Sequence, residues 1–402
     1  MSDRQAALDA SAGLEALVMR SLDGWVRAGL AKLHGDAIPR GVPAQRRGSI
    51  EELHLELTHR CNLRCVMCHH WEQPFRDPSS VKREMDLAGI RRLVEGGAEK
   101  LKDVKIVVLT GGEPMIRSDI GDILAFLGGH YPAASIGVLT NFWNTELVRR
   151  RLLEWRGRGL LGRLWLGSSL DGVGASHDEV RGQEGAFDGL VKTTALMRQE
   201  FPEVSFSFSF TITPRNYREL WPTYQFVSRE GLWFGAQMVV NHQGLQAPET
   251  YEWKSEELDE VERQIDMILA DLTQREGALE KIVTGQERQA LWLWTRLLYW
   301  RYLRKYARRP ERFFKDCMAG SRYAMFDPEG NLFFCPVNKH RVIGNALDQK
   351  FDVVWTSAKA EDERRYVDSC RCDCWLNCIA NPILDRVVAE GIEAGGQGAG
   401  VG

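Results

Sequence analysis

Six short runs rich in β-branched, aromatic and leucine residues recur along the first 240 positions, and longer amphipathic stretches separate them. This alternation restricts the fold more than any other feature of the chain. The runs are Glu52–Leu57, Val104–Thr110, Ser135–Thr140, Leu164–Ser169, Val204–Thr213 and Phe234–Val240. Between them lie Asp86–Gly97, Ser118–Gly129, Thr145–Gly157, Ala186–Glu200 and Arg215–Glu230, each long enough for a crossover helix. Strands joined through helices pair in parallel, so the pattern predicts an α/β fold. Six units in series suit a partial (β/α)6 barrel, with functional loops at the strand C-termini.

Past Gln246 the pattern changes, and the chain divides into five expected parts. Residues 1–50 form an N-terminal extension with an amphipathic helix, Leu14–Leu33, and a Pro/Gly-containing linker, Ile38–Gly48. Residues 51–246 are the barrel core, 247–312 a helical, aromatic and basic insertion, and 313–382 a small cysteine-bearing domain. Residues 383–402 are expected to be a flexible tail, Gly-rich from Gly391. No internal repeat is visible.

The 402 residues are 44% hydrophobic and 27% charged with a formal net charge of −3, which describes a globular chain with no global field for nucleic acid. Contact with a membrane surface is a lesser expectation. No signal peptide or long apolar run appears, so a cytoplasmic location is expected. There, nine cysteines are expected to be reduced thiols, and their clustering argues for metal binding.

Three of the nine stand in "THRCNLRCVMCHHW", at Cys61, Cys65 and Cys68, four residues past the first strand. Zinc remains an option if His69 or His70 adds a fourth ligand. Three thiolates on a [4Fe–4S] cluster instead leave one iron open for a substrate or cofactor. This segment resembles the cluster loop of the radical S-adenosylmethionine (radical SAM) superfamily, in which the open iron chelates the methionine moiety of the cofactor. The resemblance makes Cys61, Cys65 and Cys68 the catalytic, metal-binding set. Family members often carry an aromatic residue near the adenine just before the last cysteine; here it is Met67, a thioether that still packs against a ring.

Three more segments match the family. Thr110-Gly111-Gly112-Glu113-Pro114 follows the second run and is similar to the GGEP motif, whose backbone and acidic side chain meet the cofactor's amino group. Two glycines permit close approach to a ligand, and a carboxylate suits an ammonium. Thr140-Asn141 and Ser168-Ser169-Leu170-Asp171-Gly172 resemble the family's segments near the ribose and substrate, although Ser and Asp at strand ends are often only turn formers or caps. Asn141, Ser169 and Asp171 join the expected cofactor-binding residues. The "HDEVRG" segment, with His177, Asp178 and Arg181, also fits the pattern, but it gives Arg181 no firm role.

The remaining six cysteines are Cys317, Cys335, Cys370, Cys372, Cys374 and Cys378. Four thiolates close either a [4Fe–4S] or a zinc site. The arrangement resembles the SPASM/Twitch extension of a large radical SAM subfamily, and Gly344-Asn345 matches the IGN segment within it. The full SPASM set has seven cysteines, so one auxiliary [4Fe–4S] cluster is implied, on Cys317, Cys335, Cys374 and Cys378. Cys370 is the substitute ligand and Cys372 the spare.

The resemblance implies S-adenosylmethionine, reductive cleavage to a 5′-deoxyadenosyl radical, and hydrogen abstraction from a substrate C–H bond. Its expected partner is an external one-electron reductant of the flavodoxin or ferredoxin type. Subfamily numbers place oxidation, crosslinking or epimerisation of a ribosomally made peptide first. Fifty residues are too few for a fused leader-binding domain, which a separate protein would then supply. The alternatives are a sugar, an aminocyclitol or a lipid-linked glycan, and, outside enzymes, an iron–sulfur electron carrier or redox sensor. Sulfatase-type activation is disfavoured by Pro336, where that group has an acid.

Finally, "LWLWTRLLYWRYLRKYARR", Leu291–Arg309, interleaves aromatic and basic residues. It reads either as a helix packed between domains, or as a lid or membrane-surface dock with its basic end facing phosphates.

Overall fold

The computed structural model describes residues 49–68, 70–240, 251–275, 291–313, 317–370 and 375–398. The expected N-terminal helix and linker lie outside the described residues, as does the boundary near Gln246. Two compact units are present. Among the described residues, the larger contains 49–240, 251–253 and 318–370, and the smaller contains 254–275, 291–313, 317 and 375–398.

The larger unit is one nine-stranded sheet in the order β6-β5-β4-β3-β2-β1-β7-β8-β9. Its first six strands are β1 (Glu52–Glu56), β2 (Ile106–Thr110), β3 (Ser135–Leu139), β4 (Leu164–Ser169), β5 (Ser205–Ile212) and β6 (Trp233–Met238). All five pairings among them are parallel. Each expected run is thus a strand, with ends that differ by up to two residues; β4 matches its run fully and β6 begins one residue early. Two single-turn helices, α1 (Gln73–Arg76) and α2 (Ser80–Arg83), follow the cysteine loop. The other helices of the repeat are α3 (Leu87–Glu95), α4 (Ile120–His130), α5 (Thr145–Gly157), α6 (Ala175–Arg181), α7 (Ala186–Glu200) and α8 (Leu220–Arg229). The short α6 went unrecognised as a helix in the sequence.

Sequential strand order with right-handed crossovers puts all the crossover helices on one face. Side chains alternate accordingly. Leu53 and Leu55 of β1, Val107 and Leu109 of β2, and Phe208 and Phe210 of β5 are buried on one side. The opposite side carries Glu52, His54 and Glu56 on β1, the last in register with Thr110 on β2, and Ser169 on β4, in register with Ser209 on β5. The sequence "SFSFSFTI" of β5 spells this division out, with phenylalanines toward the helices and hydroxyls on the open face.

The expected separate domain at 313–382 takes a different form. Its first strand, β7 (Tyr323–Phe326), pairs in parallel with β1, and β8 (Asn331–Phe333) and β9 (Gly344–Asn345) continue the same sheet antiparallel. The free edge of β1 offers unpaired backbone groups, and β7 satisfies them. Helices α9 (Phe351–Trp355) and α10 (Ala358–Ser369) complete this part.

The smaller unit holds α11 (Ser255–Arg275), α12 (Leu291–Arg308) and α13 (Asn377–Gly398). Trp294, Leu297, Leu298, Trp300 and Leu303 of α12 are buried. Its basic end is not presented bare to phosphates: Arg304 pairs with Asp266 at 2.7 Å and with Glu262, while Arg308 pairs with Glu262 at 2.9 Å and with Asp259. The acids of α11 thus compensate the bases of α12 within this unit. α13 also replaces most of the expected flexible tail from 383, since helix continues to Gly398. No helix among the described residues is long and apolar enough to cross a membrane.

Candidate active site

The loop carrying Cys61, Cys65 and Cys68 leaves the C-terminal end of β1 and is stapled by the end of α6. Arg64 N–H donates to Arg181 O at 3.2 Å, and Val66 N–H to Val180 O at 3.0 Å. Gly182, at φ 63°, caps α6 in the left-handed region, and a Cβ there would sit 2.2 Å from Arg64 O. Only glycine allows the helix end to come this close to the cysteine loop. Cys65 is buried, while Cys61, Met67 and Cys68 are half-buried.

The loop after β2 lies directly on that cysteine loop. Gly112 N–H donates to Thr58 O at 2.7 Å and Glu113 N–H to Arg60 O at 2.8 Å. A Cβ on Gly111 would come within 2.5 Å of Thr58 O, and one on Gly112 within 2.1 Å of Arg60 O. The close approach expected toward a ligand is therefore made toward the neighbouring backbone. Glu113 is buried, with Oε1 accepting from Met115 N–H at 3.0 Å and Oε2 from Asn141 N–H at 2.8 Å. Burial pushes its carboxyl up to about 7 against those hydrogen bonds. Pro114 is buried beside it.

Asn141 follows β3 and joins the two loops, since its Nδ2 donates to Asn62 Oδ1 at 2.7 Å. The next residue, Phe142, is buried at φ 57° and is the only non-glycine residue with positive φ among those described. A left-handed phenylalanine is strained by about 1–3 kcal/mol and persists only where packing holds it. Here Thr193 Oγ1 donates to Phe142 O at 2.7 Å, and the rings of Phe206 and Phe208 lie 6.0 and 6.2 Å away.

Ser169 is half-buried on the open face, whereas Ser168 is buried on the helix side. Asp171 is wholly buried, and its carboxylate accepts from Thr211 N–H at 2.7 Å and pairs with Arg181. It thus positions Arg181. Arg181 in turn donates from its guanidinium to Cys65 Sγ at 3.5 Å. Burial works against its charge, but Asp171 and the thiolate positions of Cys65 and Cys68 hold it protonated. The "HDEVRG" segment signalled this arginine but not its partner. His177, also from that segment, accepts from Asp171 N–H through Nδ1 at 3.1 Å.

One constellation lay beyond sequence reasoning. Glu56, at the end of β1, pairs with Lys339 of the loop after β8 and lies 3.3 Å from His70 Nε2. Lys339 and His70 hold the Glu56 carboxylate ionised although burial opposes it. The acid on the open face of "ELHLE" was the available signal; a lysine 283 positions away was not.

Of the second cysteine group, Cys335 is buried and Cys317 and Cys370 are half-buried. Cys372 and Cys374 lie outside the described residues, and Cys378 is placed only as part of α13. Trp375, next to them, stacks on Tyr299 of α12 at 5.6 Å and donates to its carbonyl at 3.2 Å.

The first cysteine group fits an iron–sulfur cluster. Burial, then Glu113, Cys65 and Cys68, push the Cys61 thiol up to about 12 against the Leu63 N–H bond, and burial with Cys65 pushes Cys68 up to about 11. Two thiols raised in this way ionise together only with a strongly positive group beside them. Among the described residues, no three His, Cys, Asp or Glu groups converge tightly enough for a single metal ion.

Comparison with known proteins agrees. Residues 55–227 match the radical SAM superfamily model, and residues 317–375 match SPASM, an iron–sulfur cluster-binding domain. Fe-coproporphyrin III synthase of Methanosarcina barkeri is 26% identical over 174 residues, spanning 43% of this chain and only 40% of its own length. AdoMet-dependent heme synthase of the same organism is 25% identical over 321 residues, 76% of this chain and 81% of its own. The structure of Streptococcus suis SuiB bound to precursor peptide SuiA shares the fold, with a TM-score of 0.52 at 15% identity over 79% of this chain and 67% of that one. The two domains imply S-adenosylmethionine and [4Fe–4S] clusters as cofactors. By its domain pair, its sheet and its cysteine loop, the chain belongs to the radical SAM superfamily, in the group that carries a C-terminal SPASM-type iron–sulfur domain.

Proposed function

We propose that the chain abstracts a hydrogen atom from a peptide substrate and that the outcome is oxidation, crosslinking or epimerisation. The observation that carries this reading is the packing of the Glu113 loop onto the Cys61–Cys68 loop, which joins an acid to three thiols at one end of the sheet. When bound, a reduced cluster and S-adenosylmethionine supply a carbon radical able to attack an unactivated C–H bond. The protein's share is to bind, orient and exclude water.

In this reading Cys61, Cys65 and Cys68 hold the cluster. Glu113 faces the cofactor's ammonium, Gly111, Gly112 and Pro114 shape the loop, and Met67, Asn141 and Ser169 line the rest of the cofactor's site. Asp171 acts through Arg181. One auxiliary cluster takes Cys317, Cys335, Cys374 and Cys378, with Cys370 as substitute. The bound peptide in the SuiB structure supports a peptide substrate, and a separate leader-binding protein would deliver it. The longer match to a heme synthase favours a second reading, a small-molecule substrate.

Anaerobic reconstitution with iron, sulfide, S-adenosylmethionine and dithionite tests the core of the proposal. Wild-type protein is expected to release 5′-deoxyadenosine, and each of Cys61→Ala, Cys65→Ala and Cys68→Ala to release none. A single variant that works at the wild-type rate would refute the assignment.

A further inference from the structure

Beside the cysteine loop stands a small aromatic and cationic surface that the proposed chemistry leaves unused. Phe75 of α1 is 67% exposed, the most of any large hydrophobic side chain recorded as exposed among the described residues. Its ring meets Trp71 edge-on at 6.4 Å, and the Arg64 guanidinium lies 5.3 Å from Phe75 and 5.2 Å from Trp71. Trp71 Nε1 donates to Cys65 O at 3.3 Å, and Arg64 donates to Cys61 O at 3.0 Å and Leu63 O at 2.9 Å. The rings are therefore tied to the backbone of the cysteines.

Charge on this rim is unbalanced. The nearby acids are committed: Glu72 pairs with Arg76, and Asp77 with Arg83. Arg60 reaches Glu84 only at 3.9 Å, and that carboxylate already accepts from Thr58 and from His59 N–H at 2.8 Å. Arg64 and Lys82 have no carboxylate partner among the described residues. An exposed ring carrying the Arg64 guanidinium, with Arg60 on the same loop and Lys82 on the next helical turn of the chain, suits a negatively charged protein surface.

We propose that this rim, formed by Arg60, Arg64, Trp71, Phe75 and Lys82, is the docking surface for an acidic one-electron carrier protein. The inference rests on the proposed function, in which each reductive event consumes one electron: the carrier is oxidised by one electron and the cysteine-bound site reduced by one. A patch centred on one aromatic anchor fits the small interfaces of transient redox encounters. Attraction between the rim and acidic residues of the carrier speeds encounter and weakens as salt rises.

The test uses full-length protein, a low-potential flavodoxin as probe, and the variants Phe75→Glu and Lys82→Glu, neither of which touches the cysteines. Binding of oxidised flavodoxin is measured by calorimetry at low and at physiological salt, with and without the reconstituted cluster. Phe75→Glu is expected to weaken binding at least tenfold, Lys82→Glu about threefold, and salt to weaken the wild-type complex. Flavodoxin-driven release of 5′-deoxyadenosine falls in step, while dithionite-driven release stays at the wild-type rate. Unchanged flavodoxin affinity in both variants would overturn the proposal. So would self-association of the wild type that Phe75→Glu abolishes in sedimentation, since the patch would then serve a second copy of the chain. A wild type inactive even with dithionite would instead overturn the proposed function.

Discussion

Replacing Arg181 with Met removes a charge at the point where three parts of the site meet. The guanidinium pairs with Asp171, donates to Cys65 Sγ at 3.5 Å, and has a side chain only 11% exposed. Met preserves length and apolar bulk, so the loss is mainly electrostatic. Removing one partner of a buried ion pair costs about 3–5 kcal/mol, because the remaining charge is left without compensation. Asp171 keeps its bond from Thr211 N–H, which places the expectation near the lower end, about 3 kcal/mol. Burial already raises the Asp171 carboxyl above its ordinary value against the pull of Arg181, and the substitution raises it further. A carboxyl raised in the folded state binds more protons there than in the unfolded chain. Its contribution is thus fully present below the unfolded value and is lost as pH rises through the folded one. The deficit of Arg181→Met should therefore be largest at neutral pH and shrink toward pH 4. Urea unfolding of the cluster-free protein under reducing conditions, followed at pH 7.5 and at pH 5, measures both effects. A pH-independent loss below about 1 kcal/mol would refute the ion-pair account, as would strict additivity of Arg181→Met with Asp171→Asn.

Two further outcomes follow from the loop after β2. Glu113→Gln should leave the cluster in place yet lower S-adenosylmethionine affinity by about 1–3 kcal/mol in a titration. Because the Glu113 carboxyl is pushed up to about 7, wild-type stability should fall as pH rises from about 4.5 through 7, and the variant's curve should be flatter there. Gly112→Ala should destabilise the protein by about 1–3 kcal/mol and lower its iron content after reconstitution, since the added Cβ would lie 2.1 Å from Arg60 O. Wild-type melting and iron content in that variant would show that the two loops are not held together there.

The elements of this protein were legible locally. Alternation in "SFSFSFTI", the periodic stretches between strands and the spacing of Cys61, Cys65 and Cys68 depend on a few consecutive residues, and strand or helix periodicity expresses itself without a partner. The position of Gly111-Gly112-Glu113 after β2 was equally readable, and with it the end of the sheet that bears the site. What touches what was decided only in three dimensions. The glycines expected to approach a ligand approach Thr58 and Arg60, because two neighbouring strands end side by side. Arg181 meets Cys65 across 116 positions, and Lys339 meets Glu56 across 283. The region 313–382 reads as a separate domain, yet its first strand completes the open edge of β1. Likewise, the bases of α12 suggest phosphates until the acids of α11 are found beside them. Hydrogen-bonding capacity and charge are properties of single residues, but their satisfaction is a property of pairs. Pairing across hundreds of residues depends on which strand edges and helix faces the folded chain brings together.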